Sequence, residues 1–93
     1  MDITFDPAKN ERNIRERHLS FEQARAFDFA TAVVEIDDRR DYGEIRVVAL
    51  GFLEGRLHSV CYVETEVGIR VISLRKANSR EIKRYEKTKT TDG

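Results

Sequence analysis

The stretch Arg70-Val71-Ile72-Ser73-Leu74-Arg75-Lys76-Ala77-Asn78-Ser79-Arg80-Glu81 holds the densest chemistry in the sequence. A basic, β-rich segment runs directly into a helix start, marked by Asn78 and Glu81 at capping-box spacing. Cationic side chains on a rigid strand suit one task well. They stabilise negative charge that develops on phosphoryl oxygens, and they do so without reorganising. The free N–H groups of a helix N-terminus add to the same field. Arg75 and Lys76, at the strand end beside the helix, are the first candidates, and Arg70 follows. Strict alternation sets Arg70, Ile72, Leu74 and Lys76 on one face and Val71, Ser73 and Arg75 on the other. Arg70 and Arg75 therefore share a face only where a bulge or twist intervenes. Pairing of these cations with acidic residues from the middle of the chain is the alternative, and it stays open.

Proton transfer near neutral pH has few candidates. His18 and His58 titrate in the right range. His18 also falls at a predicted helix C-terminus, where the dipole favours it for structural reasons alone. His58 reads as a strand surface residue. Tyr85 reads as a core aromatic with a wet hydroxyl. Cys61 lies in an apolar strand, which describes a buried, inert thiol. The sequence has no Gly-rich phosphate loop, no G-x-S-x-G and no H-E-x-x-H. With one Cys it cannot form an internal disulfide, and with two widely spaced His residues it offers no Cys/His metal site. No metal and no cofactor is expected.

The elements that must position these residues follow from pattern and caps. The 93 residues fit one domain, and 37% of them are charged. No apolar run approaches the roughly 20 residues needed to span a bilayer, and the N-terminus has no basic, apolar leader pattern. A cytoplasmic, reducing setting is expected. Ile3–Phe5 reads as a short strand. Asp6 is an N-cap and Pro7 fits the first helical position, which predicts a polar helix over 7–17. Ser20 and Gln23 form a second capping box, with Phe21, Ala24 and Phe27 at helical spacing, which predicts a second helix. Ala32–Ile36, Ile45–Leu53, Arg56–Val63 and Ile69–Leu74 read as strands. Glu54-Gly55 makes a two-residue hairpin connection with Gly where φ is positive. The last helix starts at Asn78, and residues 88–93 read as a disordered tail. The fold class is therefore α+β. It is a single domain over 1–87 with an antiparallel sheet of four to five strands, two N-terminal helices and one C-terminal helix.

The zero net charge hides an asymmetry. Residues 1–68 hold 9 Lys/Arg against 14 Asp/Glu, whereas residues 69–89 hold 8 against 2. A basic C-terminal third points to an anionic partner, most simply nucleic acid. A solvated helix surface is the plainer explanation.

Two runs in this order resemble the family of BrnT toxins. The first is Phe5-Asp6-Pro7-Ala8-Lys9-Asn10…Asn13-Ile14…Arg17-His18…Ser20-Phe21-Glu22-Gln23-Ala24. The second is Gly55-Arg56-Leu57…Tyr62…Ile69-Arg70-Val71-Ile72-Ser73-Leu74-Arg75-Lys76-Ala77…Arg80-Glu81…Tyr85-Glu86. Together they cover residues 3–87. The resemblance implies a RelE-like fold and a metal-independent endoribonuclease that inhibits translation within a type II toxin–antitoxin module. It implies a BrnA-like antitoxin with a ribbon-helix-helix DNA-binding end, a heterotetramer centred on the antitoxin dimer, and DNA contact only through that partner. The polar helix 7–17 or the last helix would contribute to the shared surface. The resemblance assigns Arg75, Lys76 and Arg70 to charge stabilisation and His18 or Tyr85 to proton transfer, with Lys9, Arg80, Lys83 and Arg84 binding RNA. The chain departs from the family pattern at Tyr62-Val63-Glu64-Thr65-Glu66, where two carboxylates would repel RNA beside a phosphate site. Phe5 also stands where Trp is common. Two other functions remain in view: a non-catalytic co-repressor subunit or decayed toxin, and an interaction domain whose basic end binds an acidic peptide.

Overall fold

Five strands form one sheet: β1 (Asp2–Phe5), β2 (Val33–Asp37), β3 (Arg46–Leu53), β4 (Arg56–Glu64) and β5 (Gly68–Lys76). In this computed structural model, residues 1–92 are described. The spatial order is β1-β5-β4-β3-β2. Strands β2 to β5 make the antiparallel meander that the turn signals predict. At the β3–β4 turn both central residues have positive φ, Glu54 at 50° and Gly55 at 77°, as a tight hairpin requires.

The sheet is mixed, not antiparallel, because β1 pairs parallel with β5. The register sets Asp2 against Gly68. A Cβ on Gly68 would overlap the Asp2 backbone, so glycine is what allows this edge to close. The chain leaves β1 through Asp6, whose carboxylate accepts from the Ala8 N–H (2.9 Å) and caps α1 (Pro7–Arg17). Helix α1 then crosses the end of β5 that β1 leaves uncovered. There the buried Asn13 amide donates to the Leu19 and Leu74 carbonyls, both at 2.9 Å. His18 ends α1 in the left-handed region (φ 58°), with its N–H on the Ile14 carbonyl.

Only one N-terminal α-helix is present. Where the second was expected, Phe21–Ala26 forms a 3-10 helix. Its capping box is as predicted, with Gln23 Oε1 accepting from the Ser20 N–H at 2.8 Å. The apolar residues Phe21, Ala24 and Phe27 are spaced by three, which matches the 3-10 repeat, and six residues are too few for a stable α-helix. All three are buried in the main core with Leu19, Val60, Val71 and Leu74. Each such large side chain contributes about 1.5–3 kcal/mol. The last helix, α2 (Ser79–Asp92), packs on the opposite face of the sheet, where Leu50, Leu57, Ala77 and Tyr85 form a smaller cluster. It continues through the segment read as a tail, with the Thr90 and Thr91 hydroxyls donating to the Glu86 and Lys87 carbonyls. Gly93, the end of that expected tail, lies outside the described residues.

The most consequential irregularity is in β5. Cys61 pairs with Ser73, but its neighbour Tyr62 pairs with Val71. Ile72 is therefore an extra residue, a β-bulge. Before the bulge Arg70 faces away from the main core, and after it Ser73 and Arg75 do as well. Alternation alone would have separated Arg70 from Arg75.

Candidate RNA-binding cavity

The pairing registers place three rows of side chains across the face that carries α2. They are Asp37–Arg46–Val63–Arg70, Glu35–Val48–Cys61–Ser73 and Val33–Leu50–Ser59–Arg75. The floor between these rows is a cavity of about 360 Å³, walled on one side by α2 through Glu81 and Arg84, and on the other by β2 and the loop that follows it.

Arg75 is one of two cations in it that a carboxylate holds at two points. Its Nη1 and Nη2 donate to Glu81 Oε1 (2.7 Å) and Oε2 (2.9 Å), a bidentate pair. Glu81 Oε1 also accepts from the Asn78 N–H at 3.0 Å, while Asn78 Oδ1 accepts from the Glu81 N–H at 2.9 Å. The helix cap and the orientation of Arg75 thus depend on one carboxylate. The guanidinium holds the Glu81 carboxyl below its usual range, and Glu81 in turn raises Arg75. Two of the five guanidinium N–H groups serve Glu81, which leaves others for a ligand.

The rim is built from further ion pairs. Arg84 Nε reaches Glu35 at 3.1 Å and ties α2 to β2. Asp37 has a side chain only 3% exposed and accepts Arg39 Nε and Nη2 at 2.8 Å each. Tyr42 adds a hydroxyl donor at 3.2 Å. Arg39 accordingly holds the Asp37 carboxyl well below the usual carboxylate range. Glu44 bridges Arg46 (3.0 Å) and Arg70 (2.5 Å), and Arg46 lies over the Tyr42 ring. Burial pushes the Cys61 thiol up, so it lines the cavity as a protonated, unreactive group.

The structure brings together only part of the sequence-predicted set. Arg75 and Arg84 share the cavity, and Arg70 flanks it on the same face. Lys76 pairs with His58 in the row that faces the opposite side of the sheet. Tyr85 belongs to the packing between α2 and the sheet, edge-on to Phe52 (5.6 Å), with its hydroxyl 3.5 Å from the Thr31 carbonyl. His18 is the α1 cap and lines neither groove. Lys9 lies in a second groove along α1, with Arg12, Asn13 and Arg17, and Ser73 borders both grooves. Arg80 and Lys83 are exposed on α2 and do not line the cavity. Glu64 and Glu66, where the chain departs from the family pattern, also lie outside it. The sequence reading missed Glu35, Asp37 and Arg39, and saw in Glu81 only a cap. For Glu81 the signal was present, since a capping-box glutamate six residues after an arginine can serve both.

Among the described residues there is no group of three or more His, Cys, Asp or Glu that could hold a metal, and no helix is long and apolar enough to cross a membrane. No curated protein matches the sequence. The family model described as the ribonuclease toxin, BrnT, of type II toxin–antitoxin systems matches residues 5–81, from the last residue of β1 through α1 and strands β2 to β5 to the Glu81 cap. The chain belongs to the BrnT family of ribonuclease toxins.

Proposed function

We propose that the cavity between α2 and β2 binds the RNA backbone and that the protein is a RelE-like endoribonuclease toxin that cuts RNA and so inhibits translation. The observation that carries this reading is the bulge at Ile72, which puts Arg70 and Arg75 on one face beside Arg84. The reaction is attack of a 2′-hydroxyl on the adjacent phosphorus. The O2′–P bond forms, the P–O5′ bond breaks with solvent water protonating the departing O5′, and a 2′,3′-cyclic phosphate and a 5′-hydroxyl result. No metal is required. Arg75, fixed by Glu81, meets the charge that develops on the non-bridging oxygens. Arg70 and Arg84 flank it, and Arg80 and Lys83, exposed on α2 outside the cavity, would contact longer RNA.

The 2′-hydroxyl proton needs an acceptor. His18 and Tyr85 stand outside the cavity. Asp37 and Glu81 are each committed to a bidentate arginine and a backbone N–H. That leaves Glu35, with a single ion-pair contact and half of its side chain in solvent, and Asp38, beyond the end of β2; Glu35, which the sheet pairing fixes beside Ser73 and Cys61, is the carboxylate we assign to take the proton. The partner is a BrnA-like ribbon-helix-helix antitoxin in a heterotetramer, through which alone DNA is contacted.

A second reading has its own observation. Arg39, Arg75 and Arg84 are each engaged by a carboxylate, as in a site kept closed to phosphate. On that reading the chain is a non-catalytic subunit of the toxin–antitoxin complex. Induced expression followed by growth and total-RNA analysis separates the two. The wild type should arrest growth and fragment RNA. Arg75→Ala should lower cleavage by about 100-fold or more, and Glu35→Gln by a similar factor with RNA binding retained. Harmless wild type with intact RNA would establish the second reading.

A further inference from the structure

The two edges of the sheet are treated differently. At β1 the outward positions hold Asp2 and Thr4, and Arg25 reaches over to the Met1 carbonyl at 3.0 Å. Polar and charged residues of this kind blunt an edge against pairing. Strand β2, the other edge, pairs only with β3. It presents Val34 (51% exposed) and, at the cavity's edge, Ile36 (65%), and Ile45 (68%), just before β3, continues the line. One row of β2 backbone donors and acceptors faces outward beside this stripe. Such an edge is a template for another strand.

We propose that β2 is the docking edge for an extended segment of the antitoxin, whose alternate residues are apolar against Val34 and Ile36 and basic against Glu35 and Asp38. This rests on the toxin–antitoxin reading and names where that partner sits. Charge decides the occupant. The cavity side of the edge carries Glu35, Asp37 and Asp38; Arg39 covers Asp37, Arg84 meets Glu35 in a half-exposed pair, and Asp38 has no ion pair among the described residues. Two copies of this chain paired through β2 would bring those acidic groups onto one shared face, and like charges directly opposite are destabilising. A partner strand with Lys or Arg at the intervening positions removes that conflict. It would also compete with Arg84 for Glu35, so docking at the edge reaches the cavity directly. Five residues of β2 call for a partner strand of about 17 Å.

The test uses the full chain and, as the probe, the polypeptide encoded by the reading frame that adjoins its gene. Hydrogen exchange of the complex should show new protection at the amides of 33–37. The variant Val34→Lys should bind that polypeptide about 10-fold or more weakly, while the free variant cleaves RNA like the wild type. A complex that protects α1 or α2 and leaves 33–37 unchanged would overturn the proposal and leave the toxin reading intact, as would concentration-dependent dimers of the chain alone that protect 33–37. Absence of any complex would sink the toxin–antitoxin reading and this proposal with it.

Discussion

Replacing Glu81 by Gln keeps the side chain's length and its acceptor for the Asn78 N–H, and removes the charge that Arg75 grips. The cost follows from the geometry. Charge-assisted hydrogen bonds contribute about 1.5–3 kcal/mol when buried, and exposed ion pairs about 0.2–1 kcal/mol. This pair lies between those limits, with 11% of the Glu81 side chain and 37% of the Arg75 side chain exposed. Glu81→Gln should therefore destabilise by about 1 kcal/mol. Glu81→Ala also removes the cap acceptor and should cost about 2 kcal/mol. For a chain of this size, about 1 kcal/mol shifts Tm by roughly 4–8 °C. The loss should depend on pH in a defined direction. Arg75 lowers the Glu81 carboxyl in the folded state, so the pair's contribution is complete above the unfolded value, about 4.3, and fades as pH falls through the folded one. Acid weakens Asp37 and Glu44 as well, but in both proteins alike, so their effects cancel in the difference. Urea denaturation of wild type and Glu81→Gln at several values between about pH 7 and pH 3 should show a gap that is largest at neutral pH and closes in acid. A gap that stays constant with pH, or equal stability at neutral pH, would refute the assignment of Glu81 as an ionised clamp on Arg75.

Other substitutions test the frame around the cavity. Gly68→Ala should cost about 2 kcal/mol or more by pushing β1 off β5, seen as lost hydrogen-exchange protection at 2–5; unchanged protection would contradict the close approach to Asp2. Tyr85→Phe should retain RNA cleavage, while Tyr85→Ala should lower thermal stability by loosening α2 on the sheet; loss of cleavage in the Phe variant would return Tyr85 to the reaction. Glu54→Asn should raise stability by about 0.5 kcal/mol in thermal melts, because asparagine tolerates the positive φ at that turn better than glutamate does.

Local features of the fold were legible. Asp6-Pro7, the Ser20/Gln23 and Asn78/Glu81 boxes and the Glu54-Gly55 turn each state their structure within a few residues, because the capping atoms are close in sequence. The direction of β1 was not legible, since it depends on a pairing 66 residues away, Asp2 with Gly68. The same distance effect hid the cavity. Arg75 was found from its charge and place, but Glu35, Asp37 and Arg39 come from another strand and loop, and only the register of four strands brings them opposite it. Proton transfer by Tyr85 or His18 came from the resemblance, whereas their own positions read as packing and capping, and those are the places they occupy. The sharing of a face by Arg70 and Arg75 could be stated as a condition, a bulge, but nothing in the Val-Ile-Ser-Leu run says which residue is the extra one.

That extra residue makes the strand a phase-sensitive device. The spacing between Arg70 and Arg75 is out of step with a two-residue repeat, and Ile72 absorbs the mismatch. A chain that lost one residue here would still carry an apolar, strand-forming segment, and by hydrophobic pattern the change would look mild. Its two guanidiniums would also stay on one side of the sheet, because without the bulge they would stand four residues apart, a whole number of two-residue repeats. Within β5 the bulge thus turns an odd spacing into a shared face, and what would part the two guanidiniums is pairing of the strand at its present length without the bulge.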